Sequence, residues 1–257
     1  MPPPAPVLAE ALATALLVAV GCSIVIADFG TGSVVVRALP SAAVRRALTG
    51  LLFGTTGALI AISPLGRVSG AHVNPVVTLA FWLRGRISAA VAVAYVAAQG
   101  AGAVAGGLAL TAWGALGRSV AFAATAPGPG GVAPALLGEA LATTALIGGL
   151  FVFLGHRRLR PFTPALFPPL YAFLVLVEAP LSGTSTNPAR SLGPALVGHA
   201  MDAYWLYVVG PVAGTLAVLA LWRLTPALAA LELEVAKLYH FEHDPHGLFH
   251  ADRRPGS

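Results

Sequence analysis

Long apolar runs, separated by short segments rich in arginine, glycine and proline, form the main pattern of the chain. A bilayer core about 30 Å thick requires roughly 20 apolar residues per spanning helix. Two apolar stretches, 75–84 and 188–197, reach only half that thickness and predict half-helices that enter the membrane without crossing it. Six longer runs predict transmembrane helices, at residues 7–28, 43–65, 88–110, 132–154, 162–180 and 203–223.

The two halves of the chain resemble each other. Residues 8–14 (LAEALAT) recur as 137–143 (LGEALAT), and the Ser-Gly and Asn-Pro pairs within 69–75 recur within 182–188. Since the first half has three predicted spans, an odd number, its copy must enter from the opposite face, which gives an inverted repeat. The predicted divisions are a first repeat at 1–120, a second at 121–225 and a cytoplasmic tail at 226–257.

Composition indicates that the chain lies in lipid. Only 10% of its residues are charged and 57% are hydrophobic, with a mean hydropathy of +0.81, whereas a soluble domain carries about a quarter charged residues. This excludes an ordinary cytosolic enzyme, a disordered chain and a nucleic-acid-binding module. If both termini are cytoplasmic, ten of the fifteen Lys and Arg residues lie on the inner side, as the positive-inside rule favours. We therefore expect a multi-pass protein of the cell membrane.

Each predicted half-helix opens on an Asn-Pro pair, Asn74-Pro75 and Asn187-Pro188. Asparagine is a strong N-cap, and proline at the first helical position gives up an N–H that would lack a partner. In an inverted repeat the two N-termini meet near the midplane, where each contributes roughly half a positive charge. That arrangement opposes cations and protons, while the asparagine amides donate to passing oxygen atoms. A single Asn-Pro is usually a turn, but two at equivalent places in a repeat indicate a pore.

The segments SGAHVNPVVT at 69–78 and NPARS at 187–191 resemble the paired Asn-Pro-Ala boxes of the aquaporin family, also called major intrinsic proteins. The resemblance covers residues 7 to about 223. It implies an all-α, right-handed bundle of six transmembrane helices with two re-entrant half-helices, a pore in each protomer and a homotetramer. The second box ends in Ala189 as the family's does, but the first ends in Val76, which we expect to adjust packing and not chemistry.

The resemblance also implies a selectivity filter near the outer mouth. An adjacent Phe53-Gly54 pair leaves open a shift of one residue at one filter position, which would place Phe53 or Thr55 there in place of Gly54. Arg190 is expected to donate to solutes and repel cations, since a charge this deep in a bilayer must face water or a partner. By spacing from the two boxes, the expected filter residues are Gly54, Val175, Thr184 and Arg190.

The filter residues indicate a wide pore. Strict water channels typically carry a histidine at the position of Val175 and an aromatic residue at that of Gly54. The absence of this histidine and this aromatic residue favours the passage of small neutral solutes such as glycerol, urea or neutral metalloid acids, along with water. Other positions, Ser191 and Ala195 among them, are instead typical of water channels. The filter sets the narrowest point, so we give it more weight for size exclusion.

Three glutamates lie within predicted membrane segments. Glu10 and Glu139 occupy equivalent points of the first helix of each half, and we expect them to accept hydrogen bonds from the re-entrant loops, with a proton relay as the alternative. Glu178 follows Val175 by three residues, and we expect it to border the outer vestibule, to pair with Arg190 or to be solvated at the helix end.

The predicted tail is rich in histidine but interrupted by Pro245 and Gly247. Those breaks predict a disordered, solvated segment and not a metal site, although histidines spaced three or four apart can bind metal on a helix. By resemblance to the family, His72 is expected at the inner pore entrance. The tail histidines are His240, His243, His246 and His250.

These features predict a passive channel for water and small neutral solutes that excludes ions and protons. No paired nucleophile and base occurs at a motif spacing, so neither an enzyme nor a cofactor is expected. The alternatives are a membrane scaffold or junction protein with a closed pore, a strict water channel, and a secondary transporter that shares the inverted repeat. The single cysteine, Cys22, is expected in the first helix away from the filter, so mercury should inhibit little.

Overall fold

The computed structural model describes residues 2–231 and 233–250, and this part of the chain is dominated by helices. In chain order the α-helices are α1 (Pro4–Phe29), α2 (Val34–Ala38), α3 (Ala42–Ile62), α4 (Pro64–Ser69), α5 (Pro75–Leu83), α6 (Ala89–Leu110), α7 (Gly114–Arg118), α8 (Val132–Gly155), α9 (Thr163–Ser182), α10 (Pro188–Val197), α11 (Leu206–Leu224) and α12 (Pro226–Ala229).

Five helical stretches are long and apolar enough to cross a membrane, and they contain α1, α6, α8, α9 and α11. The sixth predicted span corresponds to α3, which has 21 residues and therefore a length of about 30 Å. Arg45 and Arg46 near its start lower its hydropathy. Helices α5 and α10, with nine and ten residues, are too short to cross. The predicted fold class, an all-α membrane protein, is confirmed.

The long helices pack in two equivalent sets. Helix α1 packs along α6 in the first half, as α8 packs along α11 in the second, and α3 packs on α9 across the two halves. Half-helix α10 packs mainly on α6 of the first half, whereas α5 contacts both α6 of its own half and α11 of the second. Both half-helices thus contact the third long helix of each half.

Glycines allow the closest helix crossings. A Cβ at Gly102 of α6 would overlap the carbonyl oxygen of Ala11 in α1, and a Cβ at Gly214 of α11 would overlap that of Ala140 in α8. Small residues at such crossings let helix backbones approach, which drives packing in lipid where the hydrophobic effect does not act between helices. The same contact therefore stabilises both halves.

Polar and apolar positions are distributed inversely to those of a soluble protein. Large apolar side chains cover the outside of the bundle, where Leu8, Val93 and Phe173 are exposed. Buried polar side chains instead gather around the half-helices, where Glu10 and Asn74 are buried. A hydrocarbon solvent favours this distribution, because lipid cannot satisfy the hydrogen bonds of polar groups.

Candidate functional site

The two half-helices begin with the same cap. The side-chain oxygen of Asn74 accepts a hydrogen bond from the backbone N–H of Val76 at 3.0 Å. The side-chain oxygen of Asn187 accepts from the N–H groups of Ala189 at 3.0 Å and Arg190 at 3.2 Å. In both helices proline follows the cap and has no N–H to satisfy. The caps therefore fix the orientation of both asparagine side chains.

The amide groups of the two asparagines cross between the halves. The Nδ2 atom of Asn74 donates to the carbonyl oxygen of Thr186 at 2.9 Å, and that of Asn187 donates to the carbonyl oxygen of Val73 at 2.9 Å. An amide nitrogen carries two hydrogens. Each asparagine thus has one N–H bound to the opposite loop and a second for the cavity that both residues line.

Both loops before the asparagines have the same unusual backbone. The third and first residues before each asparagine have positive φ, namely 58° at Ala71, 45° at Val73, 53° at Thr184 and 52° at Thr186. Such angles are costly for residues other than glycine, and most costly for β-branched ones, at about 1–3 kcal/mol each. Surrounding contacts must hold these loops in place.

Glu10 and Glu139 supply part of that support. The Glu10 carboxylate accepts a hydrogen bond from the backbone N–H of Val73 at 2.5 Å. The Glu139 carboxylate accepts from the N–H groups of Ser185 at 2.6 Å and Thr186 at 2.8 Å. Both glutamates are fully buried. Each carboxylate therefore reaches the loop of its own half at the residues just before the asparagine.

The expected position of Glu178 is wrong. This side chain is only 5% exposed and contacts Ser182, whose hydroxyl also donates to Glu139 at 2.6 Å. It lies against Gly138 of α8, and within the described residues it forms no ion pair with Arg190. Three residues turn a helix by about 300°, not by a full turn. That difference directs Glu178 to α8 while Val175 faces the interior cavity.

A cavity of about 370 Å³, which we call the vestibule, lies at one end of the bundle. Val175, Thr184 and Arg190 line it, together with Phe53. The Arg190 guanidinium is 4% exposed and donates to the carbonyl oxygen of Ala123 at 2.9 Å. Three of the four residues expected in the filter therefore meet in one cavity.

The fourth expected residue, Gly54, lies elsewhere. A Cβ at Gly54 would overlap the backbone of Phe167 in α9, so its lack of a side chain serves the crossing of α3 and α9. Gly54 lines the smaller cavity that contains the asparagines and not the vestibule, which its neighbour Phe53 lines. In the structure, Phe53 takes the place beside Arg190 that the spacing gave to Gly54.

A second, smaller cavity of about 40 Å³, which we call the central cavity, contains the asparagines. His72 also lines it and is buried, with Nδ1 3.1 Å from the hydroxyl of Thr78 and Nε2 2.9 Å from the carbonyl oxygen of Ala236. Phe53 borders both cavities, so the vestibule and the central cavity are adjacent.

Comparison with known proteins agrees with this geometry. The family model described as major intrinsic protein matches residues 5–222. The chain is 34% identical over 216 residues to Aquaporin NIP1-1 of Zea mays, covering 82% of this chain and 71% of that protein. It is 36% identical over 243 residues to Aquaporin-5 of Rattus norvegicus, covering 90% and 84%. This chain belongs to the major intrinsic protein family.

A solved structure shows the same fold. The aquaglyceroporin from Plasmodium falciparum matches with a TM-score of 0.68 at 19% identity, covering 88% of this chain and 98% of that one. The resemblance drawn from the two Asn-Pro boxes is confirmed. Family membership makes the protein a multi-pass membrane channel of the passive type and places it outside the enzyme families.

The tail of this major intrinsic protein is not the disordered, solvated segment that was expected. Residues 233–250 pack on the bundle, with Leu238 and Phe249 buried. Its polar contacts are made mainly to backbone carbonyls of Ile62, Arg67 and Gly70, and backbone carbonyls have no signature in the sequence. In the sequence, Leu231, Leu233 and Val235 alternate with two glutamates, a pattern that indicates a segment buried on one side. Residues 251–257 of the predicted tail lie outside the described residues.

The partner of Arg190 was also missed. Residues 121–123 all have positive φ, between 45° and 66°, and this turn brings the Ala123 carbonyl to the guanidinium. The segment contains only alanine and phenylalanine, types that rarely adopt such angles. No local sequence rule therefore points to it.

Proposed function

We propose that the protein conducts water and small uncharged solutes and excludes ions and protons, with the vestibule and the central cavity forming its pathway. One observation carries the proposal. Asn74 and Asn187 cap half-helices from opposite halves, and both side chains line the same cavity. A passing oxygen atom can accept a hydrogen bond from the amide of each asparagine in turn. These bonds replace those that the solute makes to bulk water.

Exclusion of ions follows from fixed charge and dipoles. Each half-helix N-terminus contributes roughly half a positive charge near the asparagines, and the buried guanidinium of Arg190 adds a full charge beside the vestibule. A cation must give up its hydration shell in a pathway that offers donors and few acceptors. Water held by both asparagine amides has its oxygen fixed by donors, which opposes proton transfer along a chain of waters.

The filter that we propose consists of Phe53, Val175, Thr184 and Arg190. Phe53 and Val175 supply an apolar wall, whereas Arg190 and Thr184 supply polar groups. Solutes with hydroxyls on one edge and carbon on the other, such as glycerol, suit this lining, and so do urea and neutral metalloid acids. A strict water channel is the second candidate, favoured by the aromatic ring of Phe53 beside Arg190.

The supporting residues take structural roles in this proposal. Glu10 and Glu139 hold the strained loops through the backbone N–H groups that they bind. Val76 is 1% exposed and seats α5 in the packed interior. His72 forms part of the pore at the end opposite the vestibule.

Assembly and orientation are proposed as well. Large apolar side chains cover the outside of the bundle, where they can contact lipid or neighbouring subunits. This surface suits a homotetramer in the cell membrane, which the family resemblance implies. The end of the bundle that carries the tail also carries most of the basic residues, so we assign it and both termini to the cytoplasm. These residues are Arg67, Arg84, Arg86, Arg157, Arg158, Arg160, Arg223 and Lys237.

Stopped-flow measurements on proteoliposomes test the proposal. We expect the protein to raise the permeability to water and to glycerol or boric acid above that of empty liposomes, with no rise in proton leak reported by an internal pH dye. An Arg190→Val variant should admit more protons or cations, since it removes the fixed charge. A protein that leaves water and solute permeability at the level of empty liposomes, with or without its tail, would overturn the proposal.

A further inference from the structure

The carboxyl-terminal segment 233–250, which we call the tail segment, covers the central cavity at the end away from the vestibule. Its side chains turn inward, and those of Leu233, Val235, Leu238 and Phe249 are at most 4% exposed. They pack with the main hydrophobic core of the bundle and not as a separate unit. The segment is therefore part of the closed molecular surface at this end.

Hydrogen bonds attach the tail segment to residues 62–72, between the end of α3 and the start of α5. The backbone N–H of Leu238 donates to the carbonyl oxygen of Gly70 at 3.0 Å. The Ala236 carbonyl lies 2.9 Å from Nε2 of His72, and Nε2 of His240 lies 2.8 Å from the carbonyl oxygen of Ile62. The attachment points lie on both sides of Leu238 and hold it in one position.

That position is inside the pathway. Leu238 lines the central cavity together with His72, Asn74 and Asn187. The central cavity has about 40 Å³, against about 370 Å³ for the vestibule. A single water needs about 10–15 Å³ of such cavity space, so the central cavity has room for only a few waters. The isobutyl group of Leu238 offers those waters no hydrogen bond.

The tail segment has few polar contacts with the bundle. A single backbone hydrogen bond, from Leu238 to Gly70, joins its main chain to the main chain of the bundle within the described residues. Its side chains add the contacts of the Lys237 ammonium with the carbonyl oxygens of Arg67 and His243, both at 2.6 Å, and an ion pair between Glu234 and Arg160 at 2.5 Å. Displacement therefore breaks few hydrogen bonds, and its main cost is exposure of the buried apolar side chains, so the segment can open locally without unfolding of the bundle.

We propose that the tail segment is an intrinsic plug of the pore, in which Leu238 closes the end opposite the vestibule and conduction requires the segment to be displaced. This inference rests on the proposed function, because only a conducting pathway can be plugged. The docked and displaced states are in equilibrium, and the displaced molecules carry the flux. Weaker docking therefore raises permeability.

The test compares full-length variants in proteoliposomes by stopped-flow water permeability per reconstituted molecule. Burial of a leucine side chain is worth roughly tenfold in an equilibrium constant, so Leu238→Ala should raise permeability by about that factor. His246→Ala is the control, because His246 lies in the same segment but is exposed and lines neither cavity. It should leave permeability at the wild-type value.

A second variant ends the chain after Ala230 and removes the segment altogether, with circular dichroism and size exclusion to verify its fold. It should conduct at least as fast as Leu238→Ala. If the wild-type protein conducts as fast as both variants, the plug is overturned while the channel stands. If no folded variant conducts above empty liposomes, both the plug and the proposed function are overturned. A rise with His246→Ala equal to that with Leu238→Ala would also contradict the plug.

Discussion

The guanidinium of Arg190 lies over the ring of Phe53, with its central carbon 5.9 Å from the ring centroid. Phe53 belongs to α3 in the first half and Arg190 to α10 in the second, so the contact joins the two halves beside the vestibule. Contacts between a cation and an aromatic ring are worth about 0.5–2 kcal/mol, depending on desolvation. The ring therefore helps to hold the charge in place and limits the width next to it.

Replacement of Phe53 by alanine should widen the pathway beside Arg190. We expect glycerol permeability to rise severalfold relative to water permeability in stopped-flow measurements, because the largest side chain of the proposed filter is removed. Phe173→Ala is the control, since Phe173 is 60% exposed on the outside of the bundle. An unchanged glycerol-to-water ratio in Phe53→Ala would show that Phe53 does not set the width.

Two glycines of α3 give a matched test of stability. A Cβ at Gly54 would overlap the Phe167 backbone, whereas a Cβ at Gly57 meets no atom within 4 Å. Overpacking of this kind costs about 1–3 kcal/mol or more, so Gly54→Ala should lower the unfolding temperature in detergent. Gly57→Ala should unfold like the wild type or up to about 1 kcal/mol more stably, because alanine favours a helix. Both glycines line the central cavity, so a Gly54→Ala protein of full stability with a glycerol-to-water permeability ratio below that of Gly57→Ala would place Gly54 in the filter.

A histidine at Val175 should narrow the vestibule. Val175 lines the vestibule, and imidazole is larger and more polar than its isopropyl group. We expect Val175→His to lower glycerol permeability more than water permeability. Val175→Thr keeps the volume and should retain the wild-type ratio. Equal ratios in all three proteins would exclude Val175 from the constriction.

Mercury should have little effect on the wild-type protein. Cys22 is fully buried in α1, among apolar residues that include Ala189, and does not line either cavity. Thr184 does line the vestibule, so Thr184→Cys should become sensitive to mercury and recover with a thiol. Strong, thiol-reversible inhibition of the wild type, with none added by Thr184→Cys, would contradict the placement of both residues.

Docking of the tail segment should depend on pH through Lys237. Burial lowers the pKa of this ammonium from 10.5 to about 8; the nearby Asp244 carboxylate opposes this effect and Arg67 adds to it. Between those values the docked segment binds fewer protons than a displaced one, so docking strengthens as the pH rises through this window. Water permeability should therefore fall between pH 8 and 10.5 in the wild type and stay level in Lys237→Met. A rise over the same range would contradict the plug or its dependence on Lys237.

The sequence predicted the parts of the fold that repeat or that carry a local rule. The bounds of α10 agree with the stretch 188–197, and those of α5 agree with 75–84 within one residue, because Asn-Pro marks a helix start by sterics and capping alone. Hydropathy predicted the long helices because lipid imposes a fixed length on an apolar segment.

The remaining features depend on where one helix faces another. Phe53 and Gly54 are adjacent, and only the crossing of α3 with α9 decides which of them faces the vestibule. Glu178 was misplaced for a similar reason, since the rotation of α9 and not the spacing determines its neighbours. The tail segment binds backbone carbonyls, which every sequence offers equally. Contacts of this kind become visible only in three dimensions.

The exchanged amides of Asn74 and Asn187 have a consequence for biosynthesis. Each cap donates to a carbonyl oxygen in the other half, 112 or 114 residues away along the chain. A first half that emerges from the ribosome alone must keep Asn74 and the carbonyl of Val73 without these partners, in surroundings that do not supply substitutes. The pair of asparagines in the central cavity is therefore completed only when the second half inserts.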